Sequence, residues 1–306
     1  MTNNKCRKAE SMFSFMEEII QELRQCGRIR TSETYASALS SFSRFRNGAD
    51  LPLDAMTPAL LTSYEAYLCA RGLSPNSTSF YMRILRAVYN RAVDRGLTEQ
   101  KYPFKTVYTG VGRTRKRAIS MPLLRRISRL PLAKGSPLDF ARDMFLFSFY
   151  TRGMPFVDMA YLRRSDLSHG MLEYRRRKTG QLLRVRWETC MQQLLDKYPL
   201  RPETGYLLPI ITDAHADQRR QYILASHKVN RNLKSVGQMA GAEQPLSMYV
   251  ARHTWATAAR NRHIPLSVIS DGLGHDSENT TRIYLDSIDN AEIDKANRLI
   301  LNALWK

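Results

Sequence analysis

Cysteine is scarce in this 306-residue chain, and the four present (Cys6, Cys26, Cys69 and Cys190) stand far apart with no Cys-x-x-Cys pair. That spacing excludes a disulfide scaffold and a structural zinc site, and it fits a reducing compartment. Long apolar runs are missing too: the longest lies around residues 144–150, far short of the roughly 20 residues a membrane-spanning helix needs. The first ten residues, MTNNKCRKAE, hold no apolar core, so no signal peptide is expected. Acidic residues are the third shortage. Asp plus Glu number 28 against 47 Lys plus Arg, a formal net charge of +19. Such an excess calls for a polyanionic partner, because phosphates supply most of the affinity that a basic surface gains. An anionic membrane would favour clustered lysine beside an amphipathic anchor, whereas here arginine is spread along the chain. Internal repeats and low-complexity tracts are absent from the sequence as well. A soluble, cytoplasmic, nucleic-acid-binding protein of two domains is the expectation.

Helical periodicity fills the first hundred residues. Phe13, Met16, Ile20 and Leu23 step by three and four, as do Tyr35, Leu39 and Phe42, so each set marks one helix face. A third helix is predicted from Pro58 to Ala70, stopping at Arg71-Gly72. A fourth begins at Ser74-Pro75, turns Tyr81, Leu85, Val88 and Ala92 inward, and ends at Arg95-Gly96. Arg83, Arg86, Arg91 and Arg95 ride on it, where a solvated face accounts for them as well as a contact to nucleic acid does. The pattern breaks near residues 102–120, which carry Pro103, Gly110, Gly112 and then Arg113-Thr-Arg115-Lys116-Arg117 with no acid nearby. The expected division is a helical domain over 1–104, a basic linker over 105–119 and a second domain over 120–306. Up to residue 112 there are 15 basic and 10 acidic residues, and beyond it 32 and 18. The second part therefore carries most of the positive field. Within it, Ser120-Met-Pro122 starts a helix, a buried helix covers 140–150, and two short strands flank Lys178-Thr-Gly180 as a β-hairpin. From Leu194 onward the periodicity is again helical. The fold class predicted is mainly α, with one small antiparallel β-sheet.

The most informative stretch is Leu246-Ser-Met-Tyr249-Val-Ala-Arg252-His253-Thr-Trp255-Ala-Thr257. Leu273-Gly-His275-Asp276 and Thr280-Thr281-Arg282-Ile283-Tyr284 follow it. Each signal alone has a plain explanation: a core tyrosine, a helix C-cap, a hairpin turn. Three of them in one order and spacing are hard to explain that way. At these residues the chain resembles the tyrosine recombinases of the phage integrase family, which carry a His-x-x-Arg-His-Thr-x-Ala-Thr helix, a Leu-Gly-His turn and a Thr-Thr-x-x-Tyr segment. The resemblance implies that Tyr284 is the nucleophile, with Arg252, His275 and the hairpin's Lys178 around the scissile phosphate. It also implies a SAM-like core-binding domain at the N-terminus. The first predicted helix starts within about fifteen residues of the first, so the simple invertase or Xer-like type without an arm-binding domain is expected.

The chemistry agrees with that assignment. A phenol near pKa 10 is a poor nucleophile, and the phosphodiester it attacks gains charge in the transition state. Two guanidiniums forking onto the non-bridging oxygens meet that charge without a metal, and a mobile lysine can give a proton to the leaving 5′-oxygen. Two departures stand out. The family's other arginine precedes an x-x-Glu, and with Asp158 at the acidic position that slot falls on Pro155. Arg152, one helical turn earlier, is expected to fill the role, with a residue of the Arg175–Arg177 strand as the alternative source of the second guanidinium. The His of His-x-x-Arg is Tyr249, which can hydrogen-bond the phosphate but is a poor base near neutral pH. The implied function is site-specific recombination of double-stranded DNA through a 3′-phosphotyrosyl intermediate and a Holliday junction, giving inversion, integration or excision. No cofactor is expected. A homotetramer on two sites is implied, with the terminal helix (Ala291, Ile293, Ala296, Leu299, Ile300 and Leu304 along one stripe) exchanged between protomers; packing in its own core is the plain alternative. A type IB topoisomerase-like enzyme and a catalytically impaired DNA-binding protein are the rival functions. Arg83, Arg86, Arg113, Arg115, Lys116, Arg117, Arg175 and Arg177 are the expected DNA contacts.

If the linker grips phosphate, replacing Arg113, Arg115, Lys116 and Arg117 with alanine should weaken specific and non-specific DNA alike. The log–log salt slope should shrink by about 3–4 units, at roughly 0.9 per contact. An unchanged slope and affinity in a salt series would make the segment a spacer.

Overall fold

Hydroxyl side chains set where many of the helices begin. Ser11, Thr57, Ser74, Ser120 and Ser136 each accept a hydrogen bond from the backbone N–H three residues on, and at all but the first a proline follows within two positions. The hydroxyl satisfies an otherwise orphaned donor, and proline gives up an N–H that the first turn does not use. A computed structural model describes residues 11–112, 118–199, 203–285, 297–298 and 301–302 of the chain, without the side chains of Ile283 and Tyr284. Two compact units meet between residues 114 and 115.

The first unit holds α1 (Met12–Gln25), α2 (Ile29–Phe45), α3 (Pro58–Ala70) and α4 (Pro75–Asp94). Its core gathers Phe15, Met16 and Ile19 of α1 with Phe42, Leu61, Tyr64, Leu85 and Val88. The inward face of α1 is Met12, Phe15, Met16, Ile19, Ile20 and Leu23, and Phe13 packs only at its edge. Residues 105–112, expected in the linker, instead belong to this unit. Phe104 and Val107 enter its core, the Asn76 side chain exchanges hydrogen bonds with backbone groups of Gly112 (2.7 and 3.1 Å), and Arg86 donates to Thr109 at 2.9 Å. Prolines and glycines marked the break in periodicity, but packing carries the unit past it. Residues 113–117, and with them Arg113, Arg115, Lys116 and Arg117, lie outside the described residues.

The second unit comprises α5 (Met121–Ser128), α6 (Pro137–Tyr150), α7 (Phe156–Ala160), β1 (Leu167–Ser168), β2 (Met171–Arg175), β3 (Leu182–Arg186), α8 (Thr189–Leu195), α9 (Gln218–Met239), α10 (Met248–Arg260), α11 (Leu266–Leu273) and α12 (Glu278–Leu285). The strands form one antiparallel sheet in the order β1-β2-β3, with Leu172 opposite Val185 and Arg175 opposite Leu182. Helix α6 is buried on most sides and packs on α9 and α10. Its polar residues are satisfied: Asp139 and Asp143 pair with Arg142 and Lys197, and Tyr198 donates to Asp143 at 2.8 Å. A smaller cluster of Ala256, Ala259, Ile269, Leu273 and Leu285 seats α12 against α10 and α11, and the Arg260 guanidinium donates to the Leu285 carbonyl. The apolar stripe expected from Ala291 to Leu304 lies outside the described residues. Among the described residues no helix is long and apolar enough to cross a membrane.

Two glycines let an arginine-bearing element come close. A Cβ on Gly153 (φ +73°) would sit 2.6 Å from the Cα of Arg252, and one on Gly274 (φ +65°) would sit 2.7 Å from Cδ of Arg176. Gly135 (φ +74°) has the same backbone but nothing within 4 Å. Gly135→Ala should therefore cost about 1 kcal/mol from the left-handed conformation alone. Gly153→Ala adds overpacking to that and should cost about 3 kcal/mol in chemical denaturation. Equal losses would mean that α10 yields freely at Gly153.

Candidate active site

Four segments converge on one cleft of about 480 Å³ in the second unit. Its walls include Gly153 to Phe156 after α6, Arg176 and Lys178 of the hairpin turn, Tyr249 and Arg252 of α10, and His275, Asp276 and Thr280 around the start of α12. Three permanent cations thus face one exposed acid, Asp276.

Arg252 is 5% exposed and anchored from both sides. Its Nη1 donates to the Gly153 carbonyl at 2.9 Å, and Nη2 donates to the Leu273 carbonyl at 2.6 Å. The same Nη2 lies 3.0 Å from Nε2 of His275, whose Nδ1 lies 2.7 Å from Oγ1 of the fully buried Thr281. A guanidinium only donates, so Nε2 of His275 is the acceptor and Nδ1 carries the hydrogen, which goes to Thr281. Burial, followed by the charges of Arg252, Arg176 and Lys178, lowers the His275 pKa to about 4. The ring is therefore neutral at pH 7. Tyr249 lies in the first turn of α10, half exposed, edge-on to His253 with ring centroids 4.5 Å apart. Lys178 is exposed on the turn between β2 and β3. Tyr284 is on the last turn of α12, one turn beyond Thr281, and its side chain lies outside the described residues.

Arg152 is absent from the cleft lining. Helix α6 ends at Tyr150, so Arg152 takes a left-handed backbone (φ +61°) and the argument from one helical turn of displacement fails. Arg176, the middle residue of the Arg175–Arg177 strand that stood as the alternative, does line the cleft and is 6% exposed. Its Nη1 donates to the carbonyls of Leu273 (3.3 Å) and Gly274. A signal for it existed: Leu172, Tyr174 and Arg176 are in phase at period two and all are buried, while Arg175 and Arg177 on either side of Arg176 are exposed. Asp158 of α7 faces this arginine, with an oxygen 3.8 Å from its Nε, and accepts the Arg177 N–H at 2.9 Å. Burial raises the Asp158 pKa, opposed by that N–H and by the charges of Arg176 and Arg252.

The expected DNA contacts sort by how far they are already engaged. Arg83 and Arg86 are exposed on α4, Arg86 with one donor given to Thr109. On the same helix Arg95 is paired with Glu18 and Glu22, and Arg91 lies over the Tyr35 ring. In the second unit Arg175 braces its own turn through the Gly180 carbonyl, and Arg177 stacks 3.8 Å from the Tyr161 ring centroid.

Comparison with known proteins places these features. The phage integrase SAM-like domain profile matches residues 11–107, and the phage integrase family profile matches residues 188–291. A tyrosine recombinase of Pseudothermotoga lettingae is 31% identical over 72 residues, 24% of this chain and 25% of that protein. The match therefore spans about a quarter of that relative's length. Among solved structures, a lambda integrase dimer bound to a COC' core site superposes with TM-score 0.66 at 16% identity, over 92% of this chain and 98% of that one. The Tn1549 transposon integrase in complex with transposon right end DNA gives 0.67 at 12%, over 95% and 100%. XerH recombinase bound to its difH substrate gives 0.62 at 17%, over 93% and 83%. At these identities the likeness is one of fold.

The His275 geometry has a direct check. A nitrogen-detected NMR titration of the DNA-free protein should show a neutral ring with the hydrogen on Nδ1 at pH 6, titrating near pH 4. Because the unfolded ring titrates near 6.5, this group's contribution to stability should be complete above that pH and decline as pH falls toward 4. A ring protonated at pH 6 would contradict the arrangement.

Proposed function

Because the chain belongs to the phage integrase family of tyrosine recombinases, we propose that it is a site-specific DNA recombinase that breaks and rejoins duplex DNA through Tyr284. The observation that carries this reading is the cationic cleft itself: Arg176, Lys178 and Arg252 crowd around a neutral His275, an arrangement that a phosphodiester completes. In the proposed reaction the phenolic oxygen of Tyr284 bonds to phosphorus while the bond to the 5′-oxygen breaks. The guanidiniums take up the charge that develops on the non-bridging oxygens. Once phosphate offsets the surrounding cations, the His275 ring can accept the phenolic proton and then donate a hydrogen bond to the phosphate. Lys178 supplies the proton that leaves with the 5′-hydroxyl. The 3′-phosphotyrosyl bond conserves the energy of the phosphodiester, so rejoining needs neither ATP nor a divalent metal.

Four protomers on two sites would exchange strands through a Holliday junction in the cytoplasm, with the C-terminal helix passed between neighbours. Inversion, integration and excision are all outcomes of this one chemistry. Arg83 and Arg86, exposed on α4, would give the first unit its grip on phosphate, together with Arg113, Arg115, Lys116 and Arg117 of the connecting segment. Arg175 and Arg177 would add contacts at the hairpin, and Tyr249 would hydrogen-bond the phosphate from the mouth of the cleft.

A nicked suicide substrate built from the DNA flanking the protein's own gene tests the reading. The native chain should accumulate a covalent protein–DNA adduct, and Tyr284→Phe should bind the same DNA with no adduct. An adduct that persists in Tyr284→Phe would move the nucleophile elsewhere.

A further inference from the structure

The segment after α6 leaves a gap in the cleft's chemistry, since Pro155 stands where the family resemblance expects a guanidinium. The hairpin fills that gap from the opposite side. Arg176 continues the inward phase of β2, is buried, and enters the cleft beside Arg252. Both side chains donate to one acceptor, the Leu273 carbonyl at the end of α11, from 3.3 Å and 2.6 Å. Their terminal nitrogens are therefore within about 6 Å of each other, close enough for one anion to bridge both. The donors of Arg176 are not used up. Its Nε is buried without a hydrogen bond, 3.8 Å from Asp158, and Nη2 makes none within the described residues. Two buried like charges on a shared carbonyl, with donors unspent, make a site suited to an anion.

We propose that Arg176, rather than Arg152, supplies the second guanidinium to the scissile phosphate, with Asp158 and the Leu273 and Gly274 carbonyls as its positioning groups. The assignment rests on the recombinase reading. The acid three residues past the vacant Pro155 slot keeps an arginine in front of it, now delivered by a strand of the neighbouring sheet. Attaching that arginine to the hairpin also puts it two residues from Lys178, so one turn carries both a phosphate ligand and the proton donor.

The full-length protein tests this with two substrates, a nicked suicide duplex and the same duplex carrying a neutral methylphosphonate at the scissile position. Arg176→Ala should bind DNA within a few-fold of the native chain and form adduct about 10²–10³-fold more slowly on the phosphodiester. Most of that loss should disappear on the methylphosphonate, where no charge needs neutralising. Arg152→Ala should stay within a few-fold of the native chain on both. If Arg176→Ala does not fold, Arg176→Lys carries the test, because an ammonium keeps the charge but loses the fork. A slow phosphodiester step rescued by methylphosphonate is again the expected result. Loss and rescue in Arg152→Ala with Arg176→Ala unaffected would overturn the assignment, as would a loss in Arg176→Ala that methylphosphonate leaves unchanged. A second measurement does not depend on recombination. Inorganic phosphate titrated into the DNA-free protein should shift the Arg176 Nε–H resonance and leave that of Arg152 in place. A native chain inert on DNA would sink the recombinase reading alone; an unmoved Arg176 resonance would sink the guanidinium assignment alone.

Discussion

The carbonyl oxygen of Leu273 is the point on which this unit turns. It belongs to the last turn of α11, where the helix leaves its carbonyls without intrahelical partners, and Arg252 and Arg176 both donate to it. One orphan acceptor at the negative end of a helix thus ties α10 and the hairpin to the start of the segment that leads to α12. The glycines follow from the same contact. Gly274 carries the chain away in the left-handed conformation while leaving room for the Arg176 side chain, and Gly153 lets α10 approach closely enough for Arg252 to reach a second carbonyl. A Cβ at either place pushes a guanidinium off its anchor, so backbone freedom there serves charge placement.

Charge explains the rest of the cleft. Two unit charges about 6 Å apart repel by roughly 3 kcal/mol at an effective dielectric of about 20. Carbonyl dipoles and Asp158 offset part of that, and Asp158 is itself shared between the Arg177 N–H and the Arg176 guanidinium. Burial first, and then the field left over, make His275 give up its proton well before an ordinary imidazole would. A cleft in this state is organised before any ligand arrives, with donors fixed in direction and the ring held in one tautomer. Such a site needs no rearrangement at the moment a charge develops within it, and fixed donors are worth most there.

Much of this was legible in the sequence, and the failures have specific causes. Capping residues bounded α3 and α4 nearly to the residue, and periodicity marked the presence of α1 and α2, because those signals are local. The linker was drawn eight residues too early, since Pro103 and Gly110 interrupt a helix but say nothing about Phe104 and Val107 packing back on it. Motif order located Arg252 and His275 in one cleft, yet no spacing rule could show that they share a hydrogen bond. The Arg152 assignment assumed a helix where α6 had already ended. Arg176 could have been found by carrying the period-two alternation one residue past Tyr174; three successive arginines hid it, because a run of like charge reads as a solvated surface.

The contact that joins this preorganised cleft to α12 is one hydrogen bond long. Thr281 receives the His275 Nδ1 hydrogen, and His275 in turn accepts from Arg252, so a continuous chain runs from α10 to the middle of α12. Thr281 is fully buried, and Leu285 below it belongs to the cluster that includes Ala256 and Leu273. The helix is therefore held at two points that bracket residue 284, one polar and one apolar. Both trace back to α10 and α11, which also carry the carbonyl and guanidinium of the anion site. Shifting α12 by one residue would break the His275 contact and withdraw Leu285 together, so the position of the tyrosine along its helix is set by the same elements that set the arginines.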